Sequence, residues 1–359
     1  MGKAVYIHVP FCRDICSYCD FCKFIYNKKW VYAYLTTLEK EIKDRYMDEE
    51  VSTIYIGGGT PSCLDKEELI RLLDMTKMFR IINLEEFTFE CNIEDINPEL
   101  LQTLSNYQIN RLSIGIESFN KKNLEFMNRE ADFKDAKIKM ELCKAMGFKN
   151  INIDLMYAIP GETLKDLKKD LTLFLKLEPT HISAYSLMIE EHTKLSNDNV
   201  TYIDEELDYE MFKYIEKKLN KFHHYELSNY ALLGYESKHN LVYWNNEEYY
   251  GFGLSASGYI DNIRYNNTKN LKQYLLGNYV KDQEILSDKT KMDYEVILGL
   301  RKLEGIDLIA FREKYKQSIE EVYDLKQLLR NKDLIKKKNH IYINPIKLYI
   351  MNEILLKII

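Results

Sequence analysis

Short runs that are apolar at nearly every position recur through the first half of the chain. They are separated by longer stretches in which apolar residues return every three or four positions. The runs AVYIHV (4–9), STIYIGG (52–58), EFTFEC (86–91), RLSIGIE (111–117), INIDLMY (151–157) and HISAYSL (181–187) are rich in β-branched and aromatic residues. They read as six strands buried on both faces. Residues 30–48, 65–79, 97–105, 132–146 and 163–176 carry the helical period, and Asn97 before Pro98, Glu99 and Leu100 reads as an N-cap. Six strand–helix units in a row predict right-handed crossovers and a parallel sheet, either curved into a partial barrel or doubly wound.

The pattern then changes. A polar stretch at 192–203 precedes a helix over 204–222, and residues 223–280 are dense in Tyr, Asn, Gly and His with little helical periodicity. Helical spacing resumes from Met292, interrupted by the β-like HIYINP (340–345) and closed by LYIMNEILLK (348–357). This order predicts an α/β fold of three parts: a partial (β/α)6 barrel over 1–190, an extension packing on it over 191–285, and a mainly helical, winged-helix-like domain over 286–359.

Composition narrows the class. Hydrophobic content of 46% with 30% charged residues suits a globular protein with a sizeable core. A net charge of −6 gives no electrostatic footprint for nucleic acid, and the lysines at 336–338 read as a solvated face. The N-terminus lacks the pattern of a signal peptide. The apolar stretch at the other end is broken by Asn352, Glu353 and Lys357 and falls short of the ~20 residues needed to span a bilayer. Of seven cysteines, four fall between positions 12 and 22, a clustering expected of metal or redox chemistry in a reduced, cytoplasmic protein.

Cys12-Arg-Asp-Ile-Cys16-Ser-Tyr-Cys19 directly follows the first strand. In a parallel barrel that loop lies at the C-terminal face, where active sites are built. Three thiolates at this spacing can converge on one metal centre. A structural zinc site would want a fourth ligand, whereas a [4Fe–4S] cluster held by three cysteines keeps one iron open. Cys22 adds a fourth thiol, but the spacing is complete without it, and it reads as a spectator.

With Tyr6-x-His8-x-Pro10-Phe11 ahead of it, this loop resembles that of the radical SAM superfamily. The resemblance is narrower for the branch holding the oxygen-independent coproporphyrinogen oxidases and the HemW haem chaperones. It extends through Gly57-Gly58-Gly59-Thr60-Pro61, Glu90-Cys91-Asn92, Arg111 to Phe119, Asn128-Arg129, Asp154 to Gly161 and His181 to Leu187. It implies a cluster on Cys12, Cys16 and Cys19, with S-adenosylmethionine (SAM) chelated to the open iron and a reductant for the cluster. By the same resemblance Gly58, Gly59 and Thr60 contact the methionyl part, and Glu90, Arg129 and Asp154 hold amino, carboxylate or ribose groups. Tyr6 pairs with the cofactor near the cluster. Glycines let backbone approach a ligand, and arginine suits a bidentate carboxylate contact. The chain departs from the family at Glu117, where the usual residue is Gln; an ionised glutamate cannot donate a hydrogen bond, so the contact there must change.

The branch is decided by the middle segment. His239-Asn240-Leu241-Val242-Tyr243-Trp244 resembles the signature of the haem chaperones, whose His is implicated in haem binding. An imidazole can ligate haem iron, and Tyr243 and Trp244 offer flat apolar surface. The strand starting at residue 4 leaves no room for the N-terminal extension of the oxidases. Cys22 also stands three positions after Cys19, where the oxidases place their extra cysteine two after. The expectation is therefore a chaperone that binds a [4Fe–4S] cluster, SAM and haem as cargo, and delivers haem to acceptor haemoproteins. A membrane-associated acceptor and a homodimer are both compatible with it. Radical decarboxylation of coproporphyrinogen III is the enzymatic alternative, and a zinc scaffold the non-catalytic one.

Overall fold

The six apolar runs form the centre of one sheet in the computed structural model, which describes residues 2–359. They are β1 (Lys3–Val9), β2 (Glu50–Gly58), β3 (Arg80–Asn92), β4 (Arg111–Glu117), β5 (Asn150–Tyr157) and β6 (His181–Ser186), each parallel to the next. The crossover helices are α1 (Lys28–Arg45), α2 (Lys66–Met75), α3 (Pro98–Asn106), α4 (Lys121–Met127), α5 (Phe133–Ala145) and α6 (Leu164–Lys176). Five lie where the periodicity puts them. The short α4, KKNLEFM, has too few turns to show a period. Asn97 caps α3 as predicted, its side chain accepting from the Leu100 amide at 2.9 Å.

Alternation along the strands divides two environments. Ile54, Ile56, Phe87, Phe89, Leu112, Ile114, Ile151 and Ile153 are at most 2% exposed and belong to the continuous hydrophobic core; burying each contributes about 1.5–3 kcal/mol. The intervening positions are polar and meet on the other face. Asn152 donates to Ser113 and Asp154, and His181 reaches Asn152 at 2.6 Å. A sheet that keeps polar side chains on a buried face must pair them, and this face carries the site.

Residues 223–285 flank the six parallel strands at both edges of the same sheet. β7 (His223–Glu226) and β8 (Asn229–Ala231) extend the sheet beyond β6, with β8 antiparallel to it. β9 (Tyr249–Phe252) pairs in parallel with β1, Ala4 opposite Tyr249 and Ile7 opposite Phe252. β10 (Ser257–Ile260), β11 (Ile263–Asn267) and β12 (Val280–Ile285) continue antiparallel from β9 to complete a twelve-stranded mixed sheet. Between β8 and β9, helix α7 (Lys238–Trp244) is pinned by Glu86, whose carboxylate accepts from the Lys238 amide at 2.8 Å and the His239 amide at 3.2 Å. An acid at a helix N-terminus meets both its free amides and its dipole.

The C-terminal part places the helix Asp288–Gly299, three shorter helices and a terminal helix around a three-stranded antiparallel sheet of β13 (Ile306–Asp307), β14 (Leu334–Lys337) and β15 (His340–Ile343). Only β15 is visible in the apolar pattern. β14 ends in exposed lysines and β13 is two residues long, so neither presents a period.

Candidate functional site

The sheet's parallel strands end in the loops that hold the cysteines and the glycine turn. Phe11 and Cys12 pair with Phe24 and Ile25, the Tyr26 amide donating to the Cys12 carbonyl at 2.8 Å, so the loop of 13–23 is closed at its neck. Its far side is held by the turn after α4. The Ser17 amide donates to the Met127 carbonyl at 3.0 Å, the Ser17 hydroxyl to the Phe126 carbonyl at 2.7 Å, and the Asn128 amide group to the Ile15 carbonyl at 2.9 Å. Asn128 sits in the left-handed conformation that ends α4, and this turn sends Arg129 back toward the cysteines.

Cys12, Cys16 and Cys19 are free thiols, buried or half-buried, close enough to repel one another when ionised. The Thr60 hydroxyl donates to Cys12 Sγ at 3.5 Å and the Arg129 guanidinium lies 3.9 Å from Cys16 Sγ. Burial pushes all three thiols up, Cys12 to about 11, while Arg129 beside Cys16 and Lys23 beside Cys19 oppose the rise. Among the described residues no three His, Cys, Asp or Glu side chains close on one ion. A cubane cluster makes no such demand, because each cysteine meets a different iron. Cys22 is turned elsewhere: its carbonyl is held by His8 Nε2 at 3.0 Å, and its thiol points to the Lys269 carbonyl at 3.7 Å.

The glycine turn lies against the same strand. The Gly59 amide donates to the Val9 carbonyl at 2.9 Å and the Thr60 amide to the Phe11 carbonyl at 2.7 Å. A Cβ on Gly59 would stand 2.7 Å from that Phe11 oxygen, and Gly58 has φ +113°. Both positions are therefore closed to other residues.

Four charged side chains gather beneath these loops. Glu90 accepts from the Tyr55 hydroxyl at 2.6 Å and from the Gly58 amide at 2.9 Å. Burial raises its pKa to about 7, an effect that the Asp154 charge reinforces. Glu117, at φ +70°, is likewise raised to about 7 by burial, against the pull of Arg129. Burial raises Asp154 too, although it accepts from Asn152 at 2.9 Å. Arg129 donates to Asn92 at 2.9 Å and to the Gly115 carbonyl at 2.8 Å, yet its Nε is buried without a partner. Three carboxylates whose ionisation burial disfavours and one unsatisfied guanidinium nitrogen are complementary to a ligand carrying both an ammonium and a carboxylate. The amino-acid end of SAM has those groups, and three soft thiols suit iron–sulfur ligation. Tyr6, half-buried, contacts His8 Nδ1 at 3.0 Å, and burial with the Glu90 charge raises its pKa.

Twelve residues were expected in the site. The structure brings eleven of them to the strand ends and loops just described, and His239 to the other end. Its ring is fully buried near the strand starts, with Nδ1 2.9 Å from the Thr53 hydroxyl and Nε2 2.7 Å from the Tyr243 hydroxyl. Burial and the Arg111 charge lower its pKa to about 3. Arg301 lies over Trp244 at 4.8 Å, and Tyr243 meets Tyr249 edge-on at 4.5 Å. With both ring nitrogens engaged and no exposure, His239 braces the barrel floor in this structure. His239→Ala should cost about 2–4 kcal/mol through the cavity and two unpaired hydroxyls. Thermal melts would check this, and an unchanged melting temperature would contradict the bracing role.

Sequence reasoning did not single out Tyr55, which orients Glu90, and it quoted Asn92 and His8 only as motif members, without their roles of orienting Arg129 and the Cys22 backbone. Tyr55 carried a signal: it is the polar member of an alternating strand, two positions before Gly57.

The sequence profile described as the radical SAM superfamily matches residues 6–174, and that described as the HemN C-terminal domain matches 286–345. The heme chaperone HemW of Lactococcus lactis is 38% identical over 95% of this chain and 93% of its own length. The Bacillus subtilis protein of that name is 37% identical over 89% of each. Among solved structures, coproporphyrinogen III oxidase (HemN) from Escherichia coli, a radical SAM enzyme, superposes with a TM-score of 0.87 at 21% identity, covering 99% of this chain and 90% of that one. At that identity the likeness is one of fold.

Proposed function

The chain belongs to the HemW family of the radical SAM superfamily, and from that premise we propose that it binds haem as cargo and passes it to acceptor haemoproteins in the cytoplasm or at its membrane. The observation that carries this reading is the near-full-length similarity to heme chaperones, which includes the segment after the barrel. Among the described residues no helix is long and apolar enough to cross a membrane, so a membrane-bound acceptor would be met from one side.

In this reading Cys12, Cys16 and Cys19 hold a [4Fe–4S] cluster, and Arg129, Glu90, Glu117, Asp154, Tyr6 and the Gly58–Thr60 turn hold SAM. When reduced, the cluster supplies the electron that can open a carbon–sulfur bond of SAM. The protein's own contribution is placement. Arg129 Nε has a free donor for a carboxylate, and the glycine turn admits a ligand at backbone distance. The raised carboxylates gain ionisation when an ammonium or sulfonium enters. Glu117 stands where a donor amide is usual; near neutrality it is partly protonated and can donate in that form.

The sign of the pH dependence follows. Glu90 has a pKa of about 7 in the ligand-free protein, and a neighbouring cation lowers it, so binding releases a proton. SAM affinity should therefore rise with pH up to about 7 and level off above it, falling about tenfold from the plateau by pH 6 if one carboxylate governs it. Calorimetry at pH 6 and 8 in two buffers of different ionisation enthalpy would check this. An affinity that falls with pH would contradict the assignment of Glu90.

The functional reading is tested by anaerobic reconstitution with iron and sulfide followed by haem titration. About four irons and one haem per chain are expected. A chain that takes up the cluster and SAM but no haem would contradict the chaperone reading.

A further inference from the structure

Beside the cysteine loop runs an open groove of about 600 Å³ between α1 and the segment of 269–276. One wall carries Phe24 and Trp30, whose rings meet edge-on at 6.1 Å. The opposite wall carries Leu275 and Leu276, and Trp30 and Leu276 are 46% and 68% exposed. Two exposed lysines, Lys269 and Lys272, edge the groove, and neither makes an ion pair among the described residues. Large apolar side chains left in water mark a binding surface, and unpaired cations at its rim select an anionic partner.

We infer that this groove is the seat of the cargo: a flat apolar macrocycle lies against Trp30, Phe24, Leu275 and Leu276 while its two propionates meet Lys269 and Lys272. The inference rests on the haem-chaperone reading and adds where the haem is held. The volume falls in the range of small-molecule and cofactor sites. The charge pattern, two cations along one edge of an apolar slot, fits a dicarboxylate with an extended apolar body and does not fit an uncharged lipid chain. The position also ties cargo to cluster. The Phe24 amide donates to the Pro10 carbonyl at 2.7 Å, two residues before Cys12, and the Cys22 thiol bridges toward the Lys269 carbonyl at the groove's edge. Among the described residues no imidazole lines the groove, so recognition rests on the macrocycle and its carboxylates, and the metal adds little.

The test uses the full-length chain with its cluster reconstituted, titrated anaerobically with haem and with metal-free protoporphyrin IX. Both should bind, with affinities within about threefold of each other. The double variant Lys269→Glu/Lys272→Glu and the single variant Leu276→Glu should each weaken haem by about tenfold, the equivalent of 1.4 kcal/mol. Iron content and SAM affinity should stay at the wild-type level, which excludes misfolding as the cause. Unchanged haem affinity in both variants would overturn the groove while leaving the haem reading intact. So would loss of self-association without loss of haem, which would make the groove a contact between copies of the chain. A wild-type protein that takes no haem would overturn the haem reading, and this assignment with it.

Discussion

Serine in place of Cys12, Cys16 or Cys19 is expected to abolish the iron–sulfur cluster, whereas serine in place of Cys22 should leave it whole. A hydroxyl is a hard, weakly acidic donor and a poor substitute for a thiolate on iron. The three thiols share one loop, pinned at its neck by the Tyr26-to-Cys12 backbone bond and at its far side by Ser17 and Asn128. A missing sulfur therefore cannot be replaced by sliding the loop. Cys22 is anchored differently, through His8 on its carbonyl and Lys269 beside its thiol. Iron and sulfide counts with electron paramagnetic resonance on the four variants would show this. A cluster lost in the Cys22 variant would mean that a fourth thiolate closes the iron left for SAM.

The second large effect is expected at the charged floor beneath that loop. Arg129→Ala and Asp154→Ala should each weaken SAM by about 30-fold or more while the iron content persists. Removing one partner of a buried charged contact costs about 2–4 kcal/mol, because the other is left unpaired. Arg129 is the stronger case: its Nη atoms are occupied by Asn92 and Gly115 and only Nε is unsatisfied. Its loss removes both the ligand contact and the counter-charge to Glu117. Calorimetry on the reconstituted variants is the measurement, and unchanged affinity in both would remove these residues from the pocket.

Much of this is legible in the sequence, for physical reasons that can be named. Strands buried on both faces must be apolar almost throughout, so β1 to β6 announced themselves. The cysteine spacing carried its chemistry because ligands on one short loop have to be close in sequence. Residues 223–258 were less readable. β9 joins the sheet beside β1 from more than 240 positions away, and a pairing at that separation leaves no local period. The bracing contacts of His239 were hidden for a related reason. The residue type is equally suited to a haem iron and to a buried hydrogen-bonded brace, and the contacts to Thr53 and Tyr243 appear only in the fold. The groove by Trp30 was invisible in the sequence because its walls lie some 240 residues apart, Trp30 on one and Leu275 on the other.

The central claim is that this chain carries a tetrapyrrole without remodelling it. The most direct test is product analysis after incubating the reconstituted protein with coproporphyrinogen III, excess SAM and a reductant, alongside the same protein loaded with haem. The account predicts no vinyl-bearing product and no carbon dioxide from the propionates, with haem retained by the chain until an acceptor apoprotein is added. Conversion of coproporphyrinogen to protoporphyrinogen at many turnovers per chain would contradict it.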